Sequence, residues 1–260
     1  MAAVDDAIAG GTVPVRVYRP LPAADGPAGV VVYTHGGGWR LGDLDGFDRI
    51  ARALCAGSGH HVISVDYRLA PEHPFPAAKD DLLTVVDWAV DAATADGYGW
   101  DGERVVLVGD SAGAQLTAAA TRYRRGRICA QILAYPALDA TMSGASYDAF
   151  GPETMLTRKD MELCWTDYAG GLDPSDPELS PGLAEDLEGL PPAMIVLASH
   201  DVLRDDGVAY AERLRMAGVE VVLREVPGHV HGFLRWAGVV DAAGETLAAM
   251  GTYAAAAIAR

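Results

Sequence analysis

Arg104-Val105-Val106-Leu107-Val108-Gly109-Asp110-Ser111-Ala112-Gly113 is the stretch whose reading decides the fold. Arg104–Val108, short and apolar from Val105 onward, reads as a strand. It passes directly into Gly109–Gly113, a G-x-S-x-G, and then into residues that suit a helix to about Arg124. So abrupt a strand-to-helix turn leaves no room for bulky neighbours, and glycine flanks the serine on both sides. Ser111 is then presented at the carboxyl end of its strand. The helix N-terminus behind it favours developing negative charge. The plain alternative is a glycine-rich turn in which Ser111 only caps the helix.

The same alternation runs outward in both directions. Val13–Tyr18, Gly29–Thr34, Val62–Val65, Ile128–Ala134, Ala193–Ala198 and Glu220–Val226 read as further strands. Phe47–Ala56, Ala77–Ala93, Asp205–Ala217 and a last stretch from about Val239 read as helices. Strand and helix alternating at this spacing predict an α/β fold with a mostly parallel sheet and helices on both faces. Between Pro136 and Pro192 the rhythm breaks. This segment is too long for a simple connection, so an insertion at about 140–190 is expected to fold over one end of the sheet. No linker or internal repeat divides the chain, and residues 1–260 are expected to form a single domain.

Two further signals sit at strand ends. His35-Gly36-Gly37-Gly38-Trp39 follows Gly29–Thr34, and three glycines let backbone N–H groups approach a substrate unobstructed. Chemistry at a carbonyl carbon needs such donors for its oxyanion. Asp201 follows one late strand and His231 another, so serine, acid and histidine come in the chain order of a hydrolytic triad on an α/β sheet. Rivals remain on this ground alone. His229 lies two residues from His231. Asp205 and Asp206 open a helix and are expected to cap it. His200 is expected to point away from Asp201, and His35 to fix its own loop. His60, His61 and His73 have no supporting context.

The 20 basic and 36 acidic residues give a net charge of −16. That balance argues against nucleic acid and anionic membrane surfaces as partners. The three cysteines, Cys55, Cys129 and Cys164, are far apart and match no metal-ligand spacing. They read as free thiols in a reducing compartment. Met1–Gly11 lacks the basic start and apolar run of a signal peptide, and no stretch reaches the ~20 apolar residues of a membrane span. A cytoplasmic location is expected.

Taken together, the motifs resemble the bacterial hormone-sensitive-lipase-like esterases, the alpha/beta hydrolase fold-3 group. The matching stretches are HGGGW at 35–39, VDYRLAPEHPFPAA at 65–78, GDSAG at 109–113, DVLRDDG at 201–207 and HGF at 231–233. They follow the family's order from about Gly29 onward. The resemblance implies an α/β-hydrolase fold with Ser111 as nucleophile, Asp201 as acid and His231, not His229, as base. It implies oxyanion donors at Gly37, Gly38 and Ala112, no cofactor or metal, and pairing through an edge strand as a homodimer. Two departures stand out. Only 34 residues precede His35, about half of what the family carries, so a reduced cap is expected. Ala114-Gln115 replaces the family's Gly-Asn and is similar to formamidase-like relatives.

The expected activity is hydrolysis of short-chain or small carboxylic esters through an acyl-enzyme. Trp39, Tyr147, Phe150, Trp165 and Tyr168 are expected to line the substrate pocket, the alternative being that they pack the insertion onto the sheet. Amides, lactones and thioesters are alternative substrates for the same triad. A non-catalytic small-molecule receptor is a more distant reading, since the receptors that resemble this family have lost the histidine.

Overall fold

The computed structural model describes residues 2–21, 28–151 and 154–260. Eight strands of these residues form one sheet: β1 (Ala2–Ala9), β2 (Val13–Pro20), β3 (Val30–Thr34), β4 (His61–Val65), β5 (Val105–Asp110), β6 (Ala130–Ala134), β7 (Ala193–His200) and β8 (Val221–Val230). Their order is β1-β2-β4-β3-β5-β6-β7-β8. β1 and β4 each pair antiparallel with β2. The six strands from β4 across to β8 are all parallel.

Every residue of β3, β4, β5 and β6 is buried, which is why their sequences are mostly apolar and lack the alternation of a half-exposed strand. The period of two reappears in what each side chain touches. Val30 and Val32 enter the core formed with α2 (Ala77–Val90) and α4 (Ala112–Tyr123). Val31 and Tyr33 enter the core formed with α1 (Asp48–Ser58) and α8 (Asp241–Ile258). A third apolar cluster lies beneath α7 (Arg204–Met216). Each fully buried valine or leucine contributes roughly 1.5–3 kcal/mol, so both faces of the sheet are firmly held. This is the α/β architecture expected from the alternation.

Several local features differ from the sequence reading. Ala2–Ala9 forms β1 on β2, through a turn in which Gly10 and Gly11 both have positive φ. Two adjacent glycines are a hairpin signal that the small, acidic composition of this segment concealed. The helix expected over Ala77–Ala93 breaks at Asp91, whose carboxylate caps a separate α3 (Ala92–Tyr98) by accepting from Thr94 N. Asp205 and Asp206 do not cap α7. They lie in its first turn and reach back to the 138–147 loop. Asp206 accepts from the N–H groups of Leu138 and Asp139 and from Tyr147 Oη, and Asp205 accepts from Ser146 N. Burial pushes the Asp206 carboxyl well above the usual carboxylate range.

Candidate active site

Ser111 is the first residue beyond β5 and adopts φ 55°, ψ −121°, a conformation that costs a non-glycine residue about 1–3 kcal/mol. Its neighbours show why the turn is spelled with glycine. A Cβ on Gly109 would lie 2.2 Å from the Gly113 carbonyl oxygen, and one on Gly113 would lie 2.1 Å from that of Thr34. Ala112 opens α4, so its N–H has no acceptor within the helix.

β8 runs on to Val230, past the expected end at Val226, and delivers His231 directly to this edge. His231 Nε2 lies 2.8 Å from Ser111 Oγ, and its Nδ1 lies 2.7 Å from Asp201 Oδ2. An ionised carboxylate only accepts, so Nδ1 carries the hydrogen and Nε2 is left to accept from the serine hydroxyl. Asp201 is buried, and its other oxygen accepts from Leu203 N at 3.0 Å. The rival groups lie elsewhere. His229 Nδ1 contacts the Pro227 carbonyl, and His200 bonds Ser199 Oγ.

The glycine loop after β3 is held from below. His35 is sandwiched between the rings of Phe47 and Tyr67, with centroids 4.9 and 4.4 Å away. Its Nδ1 lies 2.7 Å from the Gly36 carbonyl, and burial pushes its imidazole down to about 4. Gly37 and Gly38 both have positive φ and face the same cavity as Ser111. Among the described residues their N–H groups have no hydrogen-bond acceptor.

Asp110 ties these pieces together, and sequence reasoning missed it. Its Oδ1 accepts from Tyr33 Oη at 2.7 Å and from Gly36 N at 2.9 Å. Its Oδ2 accepts from Tyr135 Oη at 3.4 Å. Tyr135 in turn packs edge-on against the His231 ring, at 4.8 Å between centroids. Burial raises the Asp110 carboxyl, and the donors around it pull the other way. Asp110 is the x of G-x-S-x-G. Two of its partners are more than seventy residues away in the chain, and no local pattern signals them.

Ser111 and His231 lie in a cavity of about 650 Å3. Its walls are largely apolar: Leu41, Phe47, Met155, Leu156, Met161, Leu163, Cys164 and Trp236. Leu41, Met155 and Leu163 are 70, 64 and 50% exposed at its rim. The expected pocket residues are a correction. Trp39, Tyr147, Trp165 and Tyr168 are buried, Phe150 is half-buried, and none of the five lines the cavity. Trp39 packs between Trp165 and Tyr168, at 4.2 and 4.5 Å. The reason is helical phase. On α6 (Arg158–Ala169), Trp165 and Tyr168 form the core stripe with Met161, which also reaches the cavity, and this stripe buries the largest rings. The adjacent stripe, with Leu163 and Cys164, faces the cavity. Gln115 is likewise buried, accepting from Trp39 Nε1 and donating to the Leu179 carbonyl. It takes no part in the cavity.

A serine–histidine–aspartate relay at the carboxyl edge of a mostly parallel sheet defines an α/β hydrolase. Comparison with known proteins gives the same class. A family model described as alpha/beta hydrolase fold matches residues 31–235, and the chain belongs to that family, the hormone-sensitive-lipase-like fold-3 group. It is similar to the carboxylic ester hydrolase LipN of Mycobacterium tuberculosis, 43% identical over 86% of this chain and 61% of LipN. It is also similar to the carboxylesterase NlhH of the same organism, 45% identical over 90% of this chain and 75% of NlhH. Among solved structures, an esterase of Pyrobaculum calidifontis superimposes with a TM-score of 0.90 at 35% identity, covering 98% of this chain and 85% of that one.

Proposed function

We propose that this chain is a serine carboxylesterase that hydrolyses small carboxylic esters through an acyl-enzyme. The observation that carries the reading is the relay from Ser111 through His231 to Asp201, at 2.8 and 2.7 Å, at the base of an open cavity. The similarity to a carboxylesterase and an esterase supports it. His231 Nε2 takes the serine proton as Ser111 Oγ bonds to the ester carbonyl carbon. The N–H groups of Gly37, Gly38 and Ala112 donate to the oxyanion. Its collapse breaks the ester C–O bond, and the alcohol leaves with the proton from His231. Water then attacks the acyl-enzyme with His231 as base, and the acid is released. Asp201 holds the ring in its tautomer and stabilises the imidazolium.

In this reading residues 1–260 work as one domain, and the 140–190 segment is the cap that walls the cavity with α6. The three cysteines are unpaired, which suits the cytoplasm. No helix of the described residues is long and apolar enough to cross a membrane. The outer side of β8 is an open sheet edge, the place for a homodimer contact. The amide reading rested on Ala114-Gln115, and the burial of both away from the cavity removes that support.

The test is hydrolysis of a p-nitrophenyl ester series, from acetate to long acyl chains, by wild type and Ser111→Ala. Turnover of short esters that falls by about 10⁴-fold or more in the variant is expected. A folded wild type inactive on every ester would overturn the reading.

A further inference from the structure

The cavity that holds Ser111 carries an unspent positive charge. Four charged residues face it: Arg40, Asp110, Asp160 and Arg235. Three are committed. Asp110 accepts from Tyr33, Gly36 and Tyr135. Asp160 accepts from the N–H and hydroxyl of Thr157 in the capping box of α6. Arg40 is ion-paired with Asp167 at 2.7 Å. Arg235 differs. Among the described residues its guanidinium has no carboxylate within ion-pair distance and no hydrogen-bond acceptor; only its backbone N–H donates, to the Gly232 carbonyl.

Its position is nonetheless defined. Arg235 lies in the short turn Phe233–Trp236, which follows His231, and its guanidinium rests 5.0 Å from the centre of the Phe47 ring. That contact is a cation–π interaction with another cavity wall. It leaves the planar fork of N–H donors available, and a carboxylate is the group that matches such a fork with two parallel hydrogen bonds. The contrast with the rest of the molecule sharpens the point. A chain of net charge −16 repels anions in general, yet this cavity presents a guanidinium with no side-chain hydrogen-bond partner, while the carboxylates of Asp110 and Asp160 each accept hydrogen bonds from the protein.

We propose that Arg235 reads a carboxylate on the substrate, so that the cavity selects esters whose acyl or alcohol part ends in a carboxylate across an apolar spacer. The apolar walls take the spacer, and Arg235 takes its charged end. This rests on the serine-esterase reading of the same site. Arg235 is a specificity residue and takes no part in the proton relay. It is exposed, so solvent screening limits the preference to about five- to tenfold.

The experiment compares matched pairs in wild type, Arg235→Gln and Arg235→Lys at 0.15 M salt, where the Debye length of about 8 Å screens distant carboxylates. On the acyl side the pair is p-nitrophenyl hydrogen adipate against p-nitrophenyl hexanoate. On the alcohol side it is 4-acetoxybenzoate against 4-methylphenyl acetate. The readout is the charged-to-neutral ratio of kcat/KM. It should fall about five- to tenfold in Arg235→Gln for at least one pair, through KM, and be kept only in part by Arg235→Lys, which retains the charge but not the bidentate fork. Ratios that stay within about twofold of wild type in both pairs overturn the proposal. If wild type turns over none of the four esters, the esterase reading is what fails. Calorimetric binding of monoethyl adipate to Ser111→Ala, with and without Arg235→Gln, then decides. Binding at least about fivefold weaker without the arginine supports the proposal, and equal binding overturns it.

Discussion

Replacing Gly37 by alanine tests the oxyanion loop where its geometry is tightest. Gly37 has φ +124°, a conformation L-residues rarely adopt, and a Cβ there would lie 2.0 Å from the Leu41 carbonyl oxygen. Real Cβ contacts essentially never fall below 3.0 Å, so something in the turn must give by about 1 Å. The clash is with backbone inside the same turn, which is closed by Arg40 N and Leu41 N donating to the Gly37 carbonyl at 3.1 and 3.0 Å. Relief therefore comes from re-aiming the Gly37 and Gly38 N–H groups. A misplacement of about 1 Å costs roughly a hundredfold, and loss of one oxyanion donor costs about 10²–10³ in kcat, or about 2.7–4 kcal/mol. For Gly37→Ala, kcat on p-nitrophenyl acetate should fall by that factor while KM moves less than about threefold. Affinity for a trifluoromethyl ketone, whose adduct carries the oxyanion, should fall in parallel. A far-ultraviolet spectrum matching wild type confirms the fold. If kcat stays within about tenfold and the ketone binds unchanged, the assignment of these donors is wrong.

Two further outcomes follow from groups beside the site. The folded His35 value of about 4 lies below the ordinary 6.5, so the native state binds fewer protons between those values. The stability involved is present above pH 6.5 and is lost as pH falls toward 4. At about 1.36 kcal/mol per unit, denaturant unfolding at pH 7.5 and pH 5 should differ by about 2 kcal/mol more in wild type than in His35→Gln. Identical pH slopes would refute this. Gln115→Leu strands the Trp39 indole N–H and the Leu179 carbonyl in the core, at about 1–3 kcal/mol each, measurable by thermal unfolding. The ratio of ester to anilide turnover should not change, and a marked gain or loss of anilide activity would return the amide reading to contention.

What was legible in the sequence follows the reach of each signal. β3 and β5 are buried on both faces, so their apolar runs announced them, and the chain order of Ser111, Asp201 and His231 needed only the strand ends. β1 was not legible, because an edge strand of alanine and aspartate buries little and its alternation is faint. The aromatic residues of α6 were visible, but the direction they face was not. One residue of helical rotation separates Trp165 in the core from Cys164 in the cavity. The rim residues Leu41, Met155 and Trp236 come from irregular segments with no period to read. Asp110 carries the longest-range information, since its role depends on Tyr33 and Gly36 arriving at one place.

That convergence explains why strain gathers at this edge. The parallel register sets Thr34 beside Gly109 and Asp110 beside Ala134. The residues that follow each strand, His35, Ser111 and Tyr135, are therefore brought out at nearly one level. Among the described residues, four non-glycine positions have positive φ, and three of them surround the site: Trp39, Ser111 and Tyr135. Each such residue costs about 1–3 kcal/mol and persists only when its surroundings over-determine it. All three are buried, and each is tied across the fold: Trp39 to Gln115, Ser111 to Ala134 and His231, and Tyr135 to Val196 and Asp110. The cost is thus met by contacts that cross from one strand end to the next. A hydrolytic site needs that coupling, because the nucleophile, its base and the oxyanion donors must keep their spacing while a tetrahedral centre forms between them.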